Sequence, residues 1–399
     1  MHHVYDPLFW FFILTASVWI YRGRRALNAL SSIPKVSASS WDTAKIGSQP
    51  LVTVVIPAKN EEHNIEACLA SFLRQDYPNL QILIANDNST DRTEAVLLSR
   101  DIPKLSVEKN GQDSQDFTHR MAYLNCPPTP LGWTGKNYAI QTALSKAKGD
   151  WLLFTDADTR HEPHSISSSL GHALSRDISF LTLLPRCLAG SFFEHLLQPC
   201  AMGYLGLWFP IEQVNNPRSK KYFANGQYLL MKRDLHERIG GHEKVKDEFL
   251  EDFALMKYAK EVGARVQCAF GTRIYGTRMY FSFASIWAGW RRIYLHAFKS
   301  NTWMILGKYL SLLLFSVLPF ALFLPLPFLA LKNPYAYGLT FGIAVPVILL
   351  ILIISWKTYG MVRARKAYAL LHPVSCLILA MILLDAFWMG LSKQKTVWR

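Results

Sequence analysis

Hydrophobic and polar residues are distributed unevenly along this chain of 399 residues. Between Arg22 and Gly307 the chain mixes charged and apolar side chains as a soluble domain does, whereas beyond Lys308 it is mostly apolar. Two runs there carry no charged residue, 23 positions from Tyr309 to Leu331 and 24 from Asn333 to Trp356. Each exceeds the roughly 20 residues that a helix needs to cross the hydrocarbon layer of a bilayer. The pattern therefore predicts two transmembrane helices.

Two further apolar runs extend this prediction. Residues 367–392 contain no lysine or arginine and only His372 and Asp385 among histidines and acidic residues, which predicts a third span. Residues 7–21 near the N-terminus are apolar but few, which predicts a tilted anchor or a helix lying in the membrane interface. Positive charge follows this run instead of preceding it, so an uncleaved anchor fits better than a signal peptide.

Basic residues beside the spans predict their orientation. Arg22, Arg24 and Arg25 follow the first apolar run, and basic flanking residues stay in the cytosol, so the chain after residue 22 is predicted to be cytosolic. The basic loop 357–366 agrees if the two preceding spans form a hairpin. The basic C-terminus, 393–399, disagrees with a simple further crossing.

The apolar pattern in the soluble region predicts alternating strands and helices. Residues 51–56 form a strand-like run that ends at Pro57, and the apolar positions of 65–73 follow helical spacing. Further strand-like runs are 81–85 and the fully apolar 151–154, the latter typical of a buried parallel strand. This order predicts an α/β sheet with a ligand crevice at the carboxyl ends of its strands.

Net charge and cysteine content narrow the class of protein. The chain carries 43 basic and 29 acidic residues, a net charge of +14. With several membrane segments, attraction to anionic lipid headgroups explains this excess more simply than nucleic-acid binding, so no nucleic-acid partner is expected. The six cysteines show neither the spacing of a metal site nor that of a disulfide framework, which predicts reduced structural thiols in the cytosol.

Polar clusters follow three of the predicted strands. They are Pro57-Ala-Lys-Asn-Glu-Glu62, Asn86-Asp-Asn-Ser-Thr-Asp91 and Thr155-Asp-Ala-Asp-Thr159. Three such clusters at the same end of three strands predict a binding site in the crevice.

Asp156 and Asp158 are the candidate metal-binding carboxylates. Their like charges repel at close range, and a divalent cation removes that penalty. Mg²⁺ and Mn²⁺ prefer oxygen ligands together with substrate phosphates, so either ion is the expected cofactor. The alternative is a turn in which an aspartate caps the next helix.

The other candidate site residues, Asp87, Lys136 and Glu251-Asp252, each allow more than one interpretation. Asp87 is a candidate acceptor of hydrogen bonds from a nucleoside, or else part of a turn that satisfies its own backbone; for Asp91 the turn fits better. Lys136 follows the flexible Gly132-Trp-Thr-Gly135 and is a candidate for neutralising a diphosphate, or else a solvated lysine. The acidic pair Glu251-Asp252 is typical of a solvated face or a helix N-terminus, or else it supplies a site carboxylate, with Asp252 the candidate general base.

Tryptophan and arginine residues precede the first long apolar run at Trp287, Trp290, Arg291 and Arg292. Arginine beside tryptophan can bind phosphate or stack on sugar. The competing interpretation is a belt that anchors the chain at the level of the lipid headgroups. Both interpretations can hold together.

The order of these motifs resembles family-2 glycosyltransferases over roughly residues 50–300. The shared segments are Pro57-Ala-Lys-Asn-Glu-Glu62, Asn86-Asp-Asn-Ser-Thr-Asp-Arg-Thr93, Gly135-Lys136, Asp156-Ala-Asp158 and Glu251-Asp252. Five motifs in one order make the resemblance specific, whereas each alone is weak.

Other segments resemble one branch of that family, the diaponeurosporenoate glycosyltransferases of carotenoid pathways. These are Gly132-Trp-Thr-Gly-Lys136, Asn225-Gly-Gln227 with Gly240-Gly-His242, Arg278-Met-Tyr280, and the ending Thr396-Val-Trp-Arg399. Hopanoid-associated glycosyltransferases are similar but match less closely around Glu251-Asp252.

The resemblance implies a GT-A fold with a Rossmann-like sheet, a UDP-sugar donor, and transfer of a hexosyl group with inversion by single displacement. It places Asp87 at the nucleoside, Asp156 at the nucleotide, Asp158 at the metal and Asp252 as the base. The implied nucleotide-sugar site consists of Pro57, Lys59, Glu61, Asp87, Lys136 and Asp156. The expected interface with acceptor and membrane consists of Glu251, Trp287, Trp290, Arg291 and Arg292.

Two departures from the family pattern affect specificity. Asn86 replaces the first aspartate of the usual Asp-Asp pair, which bears on the choice of nucleoside. The Gln-x-x-Arg-Trp motif of processive polysaccharide synthases is absent, and Trp287-Ala-Gly-Trp-Arg-Arg292 stands near its place. This lowers the odds of a polymerase of the cellulose or hyaluronan type.

The sequence therefore predicts a multi-pass protein of the cell membrane with its GT-A domain in the cytosol. The predicted segments are a membrane anchor at 1–25, a linker at 26–49, the catalytic domain at 50–307 and a transmembrane region at 308–399. The expected reaction transfers one sugar to a lipid-soluble acceptor such as a carotenoid acid, a hopanoid or another lipid. The alternatives are a polysaccharide synthase and a silent scaffold, and the presence of both Asp158 and Asp252 argues against the scaffold.

Overall fold

The computed structural model describes residues 6–37, 49–107 and 120–392. Its strands are β1 (Val52–Ala58), β2 (Leu80–Asn86), β3 (Met121–Asn125), β4 (Trp151–Phe154), β5 (Thr159–His161), β6 (Phe180–Leu184), β7 (Arg186–Cys187), β8 (Leu229–Lys232), β9 (Val266–Phe270) and β10 (Tyr275–Thr277). The predicted strands at 51–56, 81–85 and 151–154 are confirmed as β1, β2 and β4, because these apolar runs are buried along their whole length.

Helices connect and follow these strands. They are α1 (Pro7–Ser32), α2 (Ile65–Leu73), α3 (Thr93–Ser99), α4 (Gly135–Leu144), α5 (Ser165–Ser175), α6 (Phe192–Trp208), α7 (Ile211–Val214), α8 (Arg233–Arg238), α9 (Gly241–Lys244), α10 (Glu251–Glu261), α11 (Phe283–Ala297), α12 (Thr302–Leu312), α13 (Leu318–Phe323), α14 (Leu326–Lys332), α15 (Pro334–Met361) and α16 (His372–Leu391). A π-helical turn, Leu313–Val317, joins α12 to α13, and a 3₁₀ turn, Lys366–Leu371, precedes α16. The helical spacing predicted for 65–73 is confirmed as α2.

The described chain divides into two compact units. The apolar unit contains the described residues up to Ser32, Cys187–Pro210, and those from Met279 onward. The sheet unit contains the described residues of Ile33–Arg186 and Ile211–Arg278. This division differs from the predicted bounds, because α6 and α11 bury apolar side chains in one cluster with α12 and α16.

The sheet unit is built on a seven-stranded mixed sheet with the order β3-β2-β1-β4-β8-β6-β9. The strands β3, β2, β1 and β4 are parallel, while β8 runs antiparallel to both of its neighbours. Ala58 at the end of β1 pairs in register with Asn86 at the end of β2. The polar segments that follow β1, β2 and β4 therefore emerge at one edge of the sheet.

The apolar unit contains three helical segments that are long and apolar enough to cross a membrane. They are Thr302–Phe323, Pro334–Met361 and Lys366–Leu391. The first differs from the predicted run 309–331: the helix begins after Asn301, whose side chain caps it, and stops before Pro325. A proline interrupts the helix because it has no N–H to donate and its ring clashes with the preceding turn.

Helix α1 also differs from the predicted anchor and linker. It continues to Ser32, so residues 26–32 are helical, and residues 38–48 of the predicted linker lie outside the described residues. Phe12 and Trp19 pack against α15, and Arg22 is buried, donating to the hydroxyls of Ser311 and Ser316. The basic C-terminal residues and the ending 396–399 also lie outside the described residues.

Candidate active site

The ends of β1 and β2 bring Lys59 and Asp87 together. Nζ of Lys59 lies 3.0 Å from Oδ2 of Asp87, whose side chain is only 1% exposed. The backbone N–H of Asp87 also donates to the carbonyl of Ala58, at 2.8 Å. A buried carboxylate is stable here because it is paired and hydrogen-bonded. Its fixed position suits recognition of a polar ligand at the sheet edge.

Asn86, the residue before Asp87, contacts the neighbouring strand β3. The side-chain amide of Asn86 donates to Oδ1 of Asn125 on the neighbouring strand β3, at 2.9 Å. Asn86 is thus part of a strand-to-strand hydrogen bond, and an aspartate there would accept from an amide where asparagine donates. The turn predicted for Asp91 is confirmed, because its Oδ1 accepts from the backbone N–H of Thr93.

The turn after β4 carries the two predicted metal-binding aspartates. Ala157 between them is buried in the core of the sheet unit, and the carbonyl of Asp156 accepts a hydrogen bond from the hydroxyl of Thr159 at 2.7 Å. The backbone N–H of Arg278 donates to the carbonyl of Asp158 at 3.1 Å. These contacts fix the backbone of the tripeptide on both sides.

The carboxyl group of Asp158 lacks a full set of partners. Its Oδ1 is buried and receives no hydrogen bond from the described residues. Burial, together with the carboxylates of Asp156 and Glu61, raises the pKa of Asp158 well above its usual range. Burial also raises the pKa of Glu61 to about 7, although Asn64 donates to it.

The unpartnered oxygen of Asp158, close enough to Asp156 and Glu61 to be affected by their charges, suits a hard divalent cation. The charge of such an ion would cancel the repulsion among Asp156, Asp158 and Glu61, and its ligands are oxygen atoms. Asp158 is the residue whose unpartnered atom a cation would satisfy. The chemistry of the donor set therefore agrees with Mg²⁺ or Mn²⁺.

Lys136 links Asp156 to Glu251, the neighbour of the predicted base Asp252. It lies in the first turn of α4, where the side chain of Thr134 caps the helix. Its Nζ is 2.9 Å from Oδ1 of Asp156 and 2.8 Å from Oε1 of Glu251. Burial opposes the charge of Lys136, but the two carboxylates outweigh burial and hold its pKa above the usual value. The solvated lysine that the sequence left open is excluded.

Asp252 lies in the first turn of α10 with a pKa near neutrality. Its Oδ2 accepts from the backbone N–H of Gly226 at 2.6 Å, and its Oδ1 accepts from its neighbour Phe253 at 2.9 Å. Burial, followed by the charge of Glu251, raises the pKa of Asp252 to about 7. A carboxylate with this pKa can take up a proton at neutral pH, as a general base must.

Gly226 is a site residue to which the sequence analysis gave no role. A Cβ atom at this position would lie 3.3 Å from Oε1 of Glu251, 3.3 Å from Nζ of Lys136 and 3.4 Å from Oδ2 of Asp252. Hydrogen bonds between Asn225 and the strand β6 hold this turn in place. The segment Asn225-Gly-Gln227 was visible as a motif, but its role depends on residues distant in sequence.

His242 is a second residue whose position only the fold reveals. Its Nδ1 lies 2.9 Å from Nε2 of His236, and its ring packs on Phe154. Burial lowers the pKa of His242 well below its usual value and that of His236 to about 4. Both imidazoles are therefore neutral at physiological pH and support the wall of the site.

Five of the predicted site residues line one cleft, Pro57, Lys136, Asp156, Glu251 and Asp252, whereas Lys59, Glu61, Asp87 and Asp158 are not among its lining residues. The cleft is lined by Pro57, Lys136, Ile140, Phe154, Thr155, Asp156, Gly226, Leu229, His242, Glu251, Asp252 and Leu255. Glu251 was expected at the interface with acceptor and membrane, but it is 6% exposed and pairs with Lys136. Its place beside Asp252 at the start of α10 explains the difference.

Trp287, Trp290 and Arg291 of α11 donate hydrogen bonds within the apolar unit. Nε1 of Trp287 and Nη1 of Arg291 both donate to Oδ2 of Asp385 on α16, at 2.7 and 3.1 Å. Trp290 is 2% exposed and donates to Gln198, so it does not form part of an exposed headgroup belt. Arg292 is half-buried on the same helix.

Solved structures support the fold. A mannosyltransferase from Pyrobaculum calidifontis, determined with GDP-Man and Mn²⁺, superimposes on 97% of this chain and on 100% of its own, with a TM-score of 0.52 and 18% identity. The fold is that of the GT-A glycosyltransferases, and the predicted fold class is confirmed.

Sequence relatives include two bacterial glycosyltransferases. One is the Escherichia coli UDP-Glc:α-D-GlcNAc-diphosphoundecaprenol β-1,3-glucosyltransferase, 25% identical over 192 residues, covering 45% of this chain and 68% of the relative. The other is the 4,4'-diaponeurosporenoate glycosyltransferase of Staphylococcus aureus strain MRSA252, 23% identical over 250 residues. That match spans 60% of the length of each chain.

A family model identifies the chain over most of its length. The model described as glycosyl transferase family 21 matches residues 15–399. The match includes the cleft, the strand-end clusters and the three apolar spans. The predicted resemblance to membrane glycosyltransferases is confirmed. The sequence motifs resembled family 2, whereas the matching model describes family 21. The chain belongs to glycosyl transferase family 21.

Proposed function

We propose that this chain transfers one sugar, with inversion, from a UDP-sugar to a lipid-soluble or lipid-linked acceptor. The observation that carries the proposal is the position of Asp252. Its carboxyl group has a pKa of about 7, is oriented by the N–H of Gly226, and adjoins the Lys136–Glu251 pair in a cleft. A base beside a donor site suits direct displacement at the sugar carbon.

Residues on the donor side bind and orient the nucleotide. Asp87, fixed by Lys59, accepts hydrogen bonds from the nucleoside. Lys136 exchanges its contact with Asp156 for the diphosphate and neutralises part of that charge. A divalent cation held by Asp158 and its neighbouring carboxylates would stabilise the charge that develops on the leaving diphosphate.

Asp252 acts on the acceptor side. The acceptor oxygen forms a bond to the anomeric carbon while the bond from that carbon to the diphosphate oxygen breaks. Asp252 accepts the proton that an acceptor hydroxyl loses in this step, and the nucleoside diphosphate leaves with its electron pair. A carboxylic acid acceptor, ionised at neutral pH, gives up its proton before it binds.

The nature of the acceptor rests on the apolar unit and on the relatives. Three helices are long and apolar enough to span a bilayer, and such a protein meets lipid-soluble substrates in the membrane. The Escherichia coli relative is named for a diphosphoundecaprenol substrate and the staphylococcal relative for a carotenoid acid. We place the protein in the cell membrane as a multi-pass enzyme with its sheet unit in the cytosol.

One assay tests the proposal. The full chain in detergent is given radiolabelled UDP- and GDP-sugars in turn, membrane lipid extract, and Mn²⁺ or Mg²⁺. We expect the label of a UDP-sugar to appear in an organic-soluble product whose anomeric configuration is inverted. Label in a high-mass polymer would instead indicate a polysaccharide synthase, and label only from GDP-sugars would contradict the donor assignment.

Asp252→Asn supplies the decisive variant and Asp247→Asn its control. Asp247 is an exposed aspartate in the segment just before α10. Asp247→Asn therefore removes the same charge as Asp252→Asn, but from the protein surface. With a hydroxyl acceptor, Asp252→Asn should lower kcat about 10²- to 10⁴-fold, the usual contribution of a general base. Equal activity of the two variants would rule out Asp252 as the base.

A further inference from the structure

Three side chains with nitrogen or sulfur ligand atoms meet inside the apolar unit. Cys200 lies on α6, and His372 and Cys376 lie one turn apart on α16. All three are buried, and one ligand atom from each lies within 4.8 Å of those of the other two. The sequence showed no metal-ligand spacing among the cysteines, because Cys200 lies 176 positions before Cys376.

Two of the distances among these atoms are close to the edges of a zinc tetrahedron, and the third is within 4.8 Å. Sγ of Cys200 lies 3.9 Å from Sγ of Cys376, and Sγ of Cys376 lies 3.3 Å from Nε2 of His372. With the bond lengths usual for zinc, tetrahedral geometry places two sulfurs about 3.8 Å apart and a sulfur about 3.6 Å from a nitrogen. A sulfur–sulfur distance of 3.9 Å is far longer than a disulfide bond.

Hydrogen bonds select the tautomer of His372 that can bind a metal. The hydroxyl of Ser355 donates to the carbonyl of Ile351 at 2.8 Å, so its oxygen is left to accept from the N–H at Nδ1 of His372, at 2.9 Å. Nε2 then has no proton and is the ring nitrogen left to bind a metal; it lies 3.3 Å from Sγ of Cys376, and Nδ1 lies 3.8 Å from that sulfur. An outer hydrogen bond of this kind is usual for metal-binding histidines.

The helices that carry the three residues are fixed beside the cluster. The carbonyl of Leu196, one turn before Cys200, accepts from the hydroxyl of Tyr359 on α15 at 2.6 Å and from that of Ser375 on α16 at 3.1 Å. Pro199 lies inside α6, where a proline disturbs the helical hydrogen bonds and opens carbonyl groups to other donors. Cys200 is thereby held facing α16.

A chain of hydrogen bonds leads from a buried arginine to Cys376. Arg22 only donates, so Ser316 accepts from it at 2.9 Å and passes its own hydrogen to the hydroxyl of Tyr204 at 2.7 Å. The thiol of Cys376 in turn donates to the hydroxyl oxygen of Tyr204, at 3.6 Å. Cys376 therefore lies in a connected set of buried polar groups that fixes its position.

We propose that Cys200, His372 and Cys376 bind one Zn²⁺ ion that joins α6 to α16. Binding replaces two thiol protons, which are released, by two zinc–sulfur bonds and adds one bond to Nε2 of His372. The two thiolates neutralise the ion, so the filled site adds no net charge to its apolar surroundings. Three protein ligands leave a fourth position open, and the hydroxyl of Tyr204 lies 3.6 Å from Sγ of Cys376.

Metal analysis of the full chain tests the site. The protein is purified in detergent with its affinity tag removed, and its zinc content is measured by mass spectrometry after dialysis. We expect about one zinc ion per chain. Cys200→Ser and Cys376→Ser should each lose it, whereas Cys268→Ser, which removes a buried cysteine from β9 of the sheet unit, should keep it.

Two measurements keep the proposal testable even where a cysteine variant fails to fold. Co²⁺ added to reduced, zinc-depleted wild-type protein should give the absorption band of thiolate-to-cobalt charge transfer. Ser355→Ala, which keeps all three ligands, should weaken zinc binding about tenfold. A wild-type protein without zinc and without the cobalt band would show a metal-free thiol–imidazole contact and overturn the proposal, as would zinc retained by the Cys200→Ser/Cys376→Ser double variant.

Discussion

The backbone N–H of Gly226 donates a hydrogen bond of 2.6 Å to Oδ2 of Asp252. This bond holds the carboxyl group of the proposed base in one orientation and also lowers its pKa, against the larger effect of burial. A main-chain donor positions a side chain more firmly than a flexible side chain would, because its own position is fixed by the fold. The turn at Gly226 therefore sets the geometry at the acceptor side of the cleft.

Gly226→Ala should reduce turnover while leaving the fold intact. The added Cβ would stand 3.3 to 3.4 Å from charged atoms of Lys136, Glu251 and Asp252 and displace them by a few tenths of an ångström. Misplacement on the ångström scale can cost about 10²-fold in rate, so we expect kcat to fall about tenfold or more. Steady-state kinetics beside a thermal melt measure this. The control is Gly307→Ala, where no atom lies within 4 Å of the new Cβ; an equal loss in both would refute the role of Gly226.

With a hydroxyl acceptor, activity should rise with pH through about 7. Asp252 works only when deprotonated, and burial raises its pKa to about 7, so kcat/KM is low below this pH and reaches a plateau above it. The pKa of Glu61 is also about 7, so variants are needed to show which residue causes the loss of activity at low pH. Glu251 raises the pKa of Asp252 and Lys136 lowers it.

Glu251→Gln should therefore move the acid limb to lower pH, and Lys136→Met should move it to higher pH. A pH–rate profile of kcat/KM for each variant measures the two shifts. Shifts of the same sign, or none, would show that a group other than Asp252 limits the rate.

Divalent cation binding should depend on Asp158 and be visible without turnover. A ligand that binds only the folded state raises the melting temperature, and Mn²⁺ should do so in wild-type protein. Asp158→Asn should abolish that increase. Without metal, this variant should melt higher than wild type at pH 8, because burial and the charges of Asp156 and Glu61 disfavour ionisation of Asp158 in the folded state but not in the unfolded state.

Calorimetry or dye-based melting in detergent gives both results. Asp247→Asn, an exposed substitution, serves as the control and should respond to Mn²⁺ as wild type does. A Mn²⁺-dependent increase of equal size in Asp158→Asn would show that the ion binds elsewhere.

Asp87 should govern affinity for the donor more than the chemical step. Asp87→Asn removes the charge that pairs with Lys59 and weakens hydrogen bonds to the nucleoside. Hydrogen bonds to charged groups contribute about 1.5–3 kcal/mol, so KM for the UDP-sugar should rise about ten- to a hundredfold. Initial rates at varied donor concentration measure this. If kcat falls while KM stays constant, Asp87 does not act by binding the nucleoside.

Strand-end residues show what local patterns reveal. The apolar runs at β1, β2 and β4 are buried along their length, and the polar segments after them share one edge of the sheet because parallel neighbours end together. Asp156 and Asp158 could be singled out for that reason. The position of Glu251 was harder to predict. The start of α10 lies at the cleft in space but is almost a hundred residues from Asp156 in sequence.

Helix limits show where local patterns fail. The uncharged run 309–331 does not indicate where a helix begins. The first span begins after Asn301 and ends before Pro325, so it lies closer to the N-terminus than the run predicted. Residues 26–32 were predicted to be a linker, yet α1 continues to Ser32. The alanines and leucines of this segment are strong helix formers, so its local helix propensity was given too little weight.

The sequence by itself determined the class of fold, the three apolar segments and the carboxylates at the strand ends, because these follow from the periodicity and order of neighbouring residues. Only the tertiary structure decided that Lys136 joins Asp156 to Glu251, that Gly226 orients Asp252, and that two cysteines meet a histidine. These relationships depend on burial and on distances between residues far apart in the chain. Burial also sets the pKa of Asp252 near 7, which no local pattern encodes.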